Sequence, residues 1–231
     1  MKTLFLIPAR GGSKGIPYKN IKPLNGKPLI YYTIDVARQI ASDVDICVST
    51  DSDKIIQCVE CYGLQVPFKR PKNIATDTSS TYEVILHALD FYAANGIKYE
   101  SVVLLQPTSP FRKSQDVIKC IEHFSNDLEM VVSVKNASAN PYYNCYEVNK
   151  DHYLVISKGN GSFHRRQDAP KVYEYNGAVY VMNTNALIEK DFNLFQKVGF
   201  VEMDDISSLD IDTPLDWEIA EYLLQSNKTQ L

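Results

Sequence analysis

Leu4-Phe5-Leu6-Ile7-Pro8, followed at once by Ala9-Arg10-Gly11-Gly12-Ser13-Lys14-Gly15-Ile16-Pro17-Tyr18-Lys19-Asn20, is the stretch that decides the fold. An apolar run of strand type stops at Pro8. It gives way to a loop with three glycines and three cations, Arg10, Lys14 and Lys19. Glycines turn at positive φ and let backbone N–H groups approach a ligand closely. Successive N–H groups in such a loop form an anion-binding concavity. Arg and Lys add full charges aimed at the same place. A strand feeding this loop is what a polyphosphate needs, although a solvated turn with scattered lysines has the same composition. The loop lacks Gly-x-x-x-x-Gly-Lys-Ser/Thr, so it is not a Walker A sequence. It also lacks Gly-x-Gly-x-x-Gly, which disfavours a dinucleotide fold.

Outward from this loop, strands and helices alternate. Pro28 suits the first residue of a helix, and Ile30, Thr33, Ile34, Ala37 and Ile40 then repeat at helical spacing. Ile46-Cys47-Val48-Ser49 is a short continuous apolar strand of the buried type. Asp51 and Ser52 offer N-caps for the next helix, which stops near Gly63. Ser80 and Glu83 form a capping-box pattern ahead of a helix with Ile85, Ala88, Leu89 and Tyr92 on one face. Further strands are expected over 101–105 and 130–134, with a helix over 114–124 between them. This alternation predicts right-handed crossovers and a mainly parallel twisted sheet flanked by helices, an α/β fold of the Rossmann-like kind. Ligands collect at the carboxyl ends of such strands, where the basic loop, Asp51 and Gln106 all fall. After Val134 the rhythm changes. A hairpin is expected over 144–156, then a polar loop from Gly159 to Pro170, then a strand over 179–182. Tyr142, Tyr143, Tyr146, Tyr153 and Phe163 give this part many exposed-looking aromatics, which a sheet packed on its own domain would also explain. Pro214 to Leu224 reads as a tail helix with Trp217, Ala220 and Leu224 on one side, and Gln225 to Leu231 as frayed.

Composition sets the bounds. The 231 residues are 45% hydrophobic and 23% charged, ordinary for a globular chain. One principal domain over 1–231 is expected, with no second domain beyond the tail helix. The net charge of −4 and the absence of a Lys/Arg block argue against nucleic-acid binding. No apolar run reaches the ~20 residues that span a bilayer, so no membrane role is expected. The N-terminus enters a strand directly and carries no apparent signal peptide. Five cysteines, an odd number, suit a reducing cytoplasm. Cys58-x-x-Cys61 stands without a second pair in a helical pattern and is read as helix thiols rather than a metal or redox site.

Four ordered segments carry a family resemblance. They are Ile7 to Asn20, Arg70-Pro71 through Thr76-Asp77-Thr78-Ser79-Ser80, Gln106-Pro107-Thr108-Ser109-Pro110-Phe111-Arg112, and Asp210-Ile211-Asp212-Thr213. Together they resemble the CMP-sialic acid synthetases, or acylneuraminate cytidylyltransferases, over nearly the whole chain. The related CMP-Kdo synthetases lack the Gly-Gly-Ser-Lys run and match less well. The resemblance implies a nucleotidyltransferase fold in which 136–176 forms a β-rich dimerisation and sugar-pocket insertion of a homodimer. It implies transfer of CMP from CTP to the anomeric hydroxyl of a nonulosonic, sialic-type acid, with release of pyrophosphate and dependence on Mg2+.

Residue roles follow from chemistry and resemblance together. Such a transfer is mostly positioning and electrostatics. Arg10, Gly11, Ser13, Lys14, Lys19 and Asn20 form the phosphate group. By resemblance Arg10 and Lys19 lie against the phosphates, and Lys19 is the transition-state stabiliser. Arg70 with the Asp77 to Thr81 stretch, Ser79, Ser80 and Thr81 included, resembles the base and ribose contacts, while the hydroxyls also suit helix capping. Asp210 and Asp212 alternate in an extended segment, so their carboxylates face one side and can share a hard cation. An acidic pair in a loop is often merely solvated; the resemblance makes this one the Mg2+ site, with Asp212 in the catalytic set. Asp204-Asp205 is read as solvated. Gln106, Arg165, Arg166, Tyr173 and Asn176 are the sugar-acid candidates, one arginine serving as a carboxylate clamp. Tyr173 and Asn176 could equally be core residues beside a turn. No histidine stands out as a general base. The rival readings are the same chemistry on Kdo, and a non-catalytic sugar-nucleotide sensor.

Overall fold

The computed structural model describes residues 2–12 and 15–226. Its first half runs β1 (Thr3–Pro8), β2 (Pro23–Leu24), β3 (Lys27–Pro28), α1 (Leu29–Arg38), β4 (Ile46–Ser49), α2 (Asp53–Cys61), α3 (Thr81–Ala94) and β5 (Ser101–Leu105). The second half adds α4 (Ser114–His123), β6 (Met130–Asn136), β7 (Tyr146–Val148), β8 (Leu154–Ile156), β9 (Tyr173–Asn183), α5 (Thr184–Glu189), β10 (Val198–Glu202) and α6 (Pro214–Gln225). Six strands form one sheet in the order β10-β6-β9-β5-β1-β4. β1 is parallel to β4 and β5, and β10 is parallel to β6. The fold is the expected α/β type, mainly parallel and flanked by helices.

β9 departs from the parallel rule, since it lies antiparallel between β5 and β6. The reason is its connection. A parallel strand needs a crossover, but the chain leaves β6 into the β7–β8 hairpin and returns through one short 3-10 turn with no α-helix. β9 is also longer than expected, taking Tyr173 to Asn176 out of the expected insertion and into the central sheet. Its pairing with β6 slips between Val132 and Val134, a bulge beside Gly177, whose φ is +74°.

Strand alternation builds two cores. Phe5, Ile7, Val103 and Leu105 face one side with Val48, while Leu4, Leu6, Val102 and Leu104 face the other with Cys47. Both faces are covered, which is why these runs are continuously apolar. A third cluster joins distant parts of the chain: Ile16 from the first loop, Leu24, Phe111, Ile211 from the acidic segment, and Trp217 and Ala220 of α6. The Lys22 ammonium sits 4.2 Å over the Trp217 ring and reinforces it.

Local signals hold closely elsewhere. Ser80 and Glu83 cap α3 reciprocally, and Thr213 caps α6 ahead of Pro214. Pro28 is the N-cap of α1 rather than its first residue, because it pairs with Pro23 in the β2–β3 ladder. α5 and the edge strand β10 were not anticipated. Both cysteines of the Cys58-x-x-Cys61 pattern belong to α2, and all five thiols are free. No helix among the described residues is long and apolar enough to cross a membrane. Within the expected frayed tail, Gln225 ends α6 and Ser226 is its C-cap; residues 227–231 lie outside the described residues.

Candidate active site

A cleft of about 470 Å³ opens at the carboxyl ends of β1 and β5. Its lining includes Arg10, Gly15, Lys19, Asn20, Arg70, Ser79, Ser80, Thr81, Gln106, Thr108 and Asp212. β1 delivers the first loop. The Ala9 N–H donates to the Ser49 carbonyl at 2.9 Å and carries the ladder one residue past the strand. The Gly11 N–H then donates to Asp51 Oδ1 at 2.9 Å. Gly11 must stay small, because a Cβ there would lie 2.9 Å from that of Ser52. Gly11 braces the loop from behind and is not among the lining residues. Ser13 and Lys14 lie outside the described residues. Tyr18 takes a left-handed turn at φ +53° and is exposed, with Lys54 over its ring.

The glycine-rich loop meets the acidic segment directly. Lys19 Nζ donates to the Ile211 carbonyl at 2.6 Å and to Asp212 Oδ1 at 2.9 Å. A Cβ on Gly15 would run into the Asp212 carbonyl oxygen. The third hydrophobic cluster sets this approach, because Ile16 and Ile211 are buried in it while Asp212 stays exposed. On the opposite wall, Arg10 Nη1 donates to Asp77 Oδ1 at 2.7 Å and to the Thr76 carbonyl at 3.2 Å. Asn20 is buried, and its amide holds the Arg10 carbonyl at 3.1 Å.

The N-terminus of the 14-residue helix α3 also faces the cleft through Ser80 and Thr81. Its free N–H groups and dipole favour an anion there. The hydroxyl of Ser79 is taken by Thr76 and Asn73, and that of Ser80 by the cap. Arg70 is buried in the floor, its guanidinium held by the hydroxyl and carbonyl of Ser49. Burial pushes its pKa down to about 10, against the pull of Asp51.

Asp210 is half-buried and, unlike Asp212, is not among the lining residues of the cleft. Burial pushes its carboxyl above the usual carboxylate range; a hydrogen bond with Thr108 opposes this, and the neighbouring Asp212 adds to it. Asp210 Oδ1 is buried without a hydrogen-bond partner. Two hard-oxygen carboxylates that strain against each other, one with an unsatisfied oxygen, fit a divalent cation shared with a ligand's phosphates. No cluster of three or more His, Cys, Asp or Glu residues suits a fully protein-held ion among the described residues.

The sugar-acid candidates divide. Gln106 lines the cleft with Pro107 and Thr108. Asn176 does not line it: it is buried, its Oδ1 accepting from Ser133 at 2.6 Å and its Nδ2 donating to Ser208 at 2.9 Å. The amide serves the β9 bulge, so the core alternative describes its place. Tyr173 packs on Phe200, with ring centroids 4.8 Å apart, and pairs with Asn136 in the sheet. Arg165 is paired with Asp168 at 2.8 Å, and Arg166 with the Ala137 carbonyl. Neither arginine is among the lining residues of the cleft. Asp77 lines the cleft with the stretch expected to meet the base and ribose, whereas Thr76 and Thr108 line it without an expected role, although both lie inside the quoted motifs.

Known proteins resemble this chain over its length. The chain is 35% identical over 232 residues to the CMP-N,N'-diacetyllegionaminic acid synthase of Legionella pneumophila, covering 100% of both. It is 34% identical over 217 residues to the N-acylneuraminate cytidylyltransferase of Streptococcus agalactiae serotype V, covering 92% of this chain and 51% of that one. A solved CMP:2-keto-3-deoxy-manno-octonic acid synthetase complexed with CTP superposes with a TM-score of 0.72 at 18% identity, covering 98% of this chain and 100% of that one, which shows a shared fold. A family model described as cytidylyltransferase matches residues 4–230. With the cleft built as it is, the chain belongs to the cytidylyltransferase family, a family of nucleotidyltransferases.

Proposed function

We propose that this chain transfers CMP from CTP to the anomeric hydroxyl of a nonulosonic, sialic-type acid, with Mg2+ at Asp210 and Asp212. The observation that carries the reading is the meeting of Lys19 and Asp212 in one cleft that Arg10 and the N-terminus of α3 also face. The curated relatives described above are named for acids of this class, and one of them aligns end to end.

The sugar oxygen forms a bond to the α-phosphorus as the bond to the pyrophosphate oxygen breaks. The hydroxyl proton leaves to solvent or a nearby base. Arg10 and Lys19 hold the triphosphate and neutralise charge as pyrophosphate departs. Gln106 and Thr108 border the space where the acid would lie. When bound, Mg2+ would offset phosphate charge and favour ionisation of the attacking hydroxyl. Asp77 and Asp212 hold the two cations at rest and give way to phosphate oxygens on binding.

The proposal includes a homodimer. The β7–β8 hairpin leaves Tyr153 70% and Leu154 67% exposed, and Arg165 is exposed in the same arm. Isolated two-stranded hairpins are marginal, and exposed apolar patches mark contact surfaces. The arm of one subunit would then bring an arginine to the other's cleft.

Pyrophosphate release with CTP and Mg2+ tests the reaction over a panel of N,N'-diacetyllegionaminic, N-acetylneuraminic, pseudaminic and Kdo acids. Release with any of the first three supports it. Release with Kdo alone transfers the chemistry to the eight-carbon acid, and no release with any acid favours the sensor reading.

A further inference from the structure

Arg112 is 1% exposed and has no carboxylate in hydrogen-bond contact. Its Nη1 donates to the Gln106 carbonyl at 3.1 Å and to the Ala178 carbonyl at 2.8 Å, while Nη2 donates to Thr33 Oγ1 at 2.8 Å. Nε has no partner. Desolvation pushes the pKa of this guanidinium down to about 9, so burying its charge opposes folding. A methionine or leucine would fill such a site without that cost, so the polar geometry calls for another explanation.

The two bridged carbonyls belong to the walls around Asp210. Gln106 begins the loop whose Thr108 carbonyl accepts the Ile211 N–H at 2.8 Å, which ties that loop to the acidic segment beside Asp210. Ala178 follows Gly177 in the β9 bulge, and a Cβ on Gly177 would lie 3.8 Å from Asp210 Oδ2. Thr33, on α1, also donates to the Gln106 carbonyl, at 3.4 Å. Arg112 therefore clamps the β5 loop, the β9 bulge and α1 together beneath one carboxylate.

We propose that Arg112 is a positioning residue that fixes Asp210 for cation binding by tying the Gln106 loop to the β9 bulge. The inference rests on the reading of Asp210 as a cation ligand. Groups that orient a metal ligand typically matter by about 10- to 100-fold in metal affinity or activity.

The test is calorimetric titration of CTP into the full chain, once with saturating Mg2+ and once with EDTA. In the wild type, Mg2+ should tighten CTP binding. In Arg112→Met, that Mg2+-dependent gain should shrink by about tenfold or more, while affinity in EDTA stays within about twofold. Thr33→Val removes one acceptor of the clamp and is a second, gentler variant should Arg112→Met fail to fold; it should show a smaller loss of the same kind. Full Mg2+-dependent gain in a folded variant overturns the inference, as does equal weakening with and without Mg2+, the signature of a merely structural role. A wild type that binds CTP without any Mg2+ effect instead overturns the cation reading of Asp210 on which this rests.

Discussion

Lys19 is held at 2.6 and 2.9 Å between the Ile211 carbonyl and Asp212, so its ammonium is placed before any phosphate arrives. Removing such a preorganised donor typically slows catalysis by about 100- to 1000-fold. Lys19→Ala is expected to lower kcat for pyrophosphate release by that order, and a fall of only a few-fold would count against its role. Gly15 makes a complementary case. Its missing side chain lets the first loop close on the Asp212 carbonyl. Gly15→Ala should leave the far-UV circular dichroism intact yet lower kcat/KM by about 100-fold, because small displacements of reacting groups are costly. Wild-type turnover in that variant would show that the loop and the acidic segment need not touch. Lys19 and Asp212 were legible as chemistry because their motifs are local. Asn176 was not separable into sugar contact or core, since only its long-range partners Ser133 and Ser208 reveal its place.

At the scale of elements, the edge strand β10 depends on one carboxylate. Glu129 pairs with Lys190 at 2.6 Å and accepts the backbone N–H groups of Gln196 and Lys197 at 2.7 and 2.8 Å. The Lys190 hydrogen bond, followed by the two backbone donors, holds its pKa down at about 2. A depressed carboxylate stabilises fully above its unfolded value of about 4.3, and the contribution is lost as pH falls toward the folded value. Glu129→Gln should therefore melt below the wild type at pH 7. The gap should narrow as thermal melts are moved from about pH 5 toward pH 3, across the window those two values set. A constant gap over that range would refute the linkage. β10 itself escaped the sequence reading, because Val198-Gly199-Phe200-Val201-Glu202 is an only partly buried edge and its glycine breaks the pattern. β4 and β5 matched their expected bounds, because burial on both faces leaves an unbroken apolar run.

For the whole molecule, the question is what covers the arm. Light scattering on the purified chain should report a dimer. Replacing Tyr153 and Leu154 together by aspartate should shift it to a monomer and lower turnover without altering the thermal unfolding of the central domain. A wild-type monomer with full turnover would remove the arm from the catalytic account. The arm also explains the topology. With no α-helix between β6 and β9, the returning strand runs antiparallel, a result that alternation of strands and helices in the first half did not foreshadow.

By itself the sequence determined the local parts: apolar runs that become strands, caps at Ser80 and Thr213, and a glycine-and-cation loop suited to phosphate. These depend on neighbours a few residues away, so they can be read in order along the chain. Only the tertiary structure decided that Ile16, Ile211 and Trp217 share one cluster, and hence that Lys19 reaches Asp212. Only it put Arg112 and Asn176 inside. Burial and contacts between segments nearly 200 residues apart come from the packing of whole elements, and no local pattern encodes them.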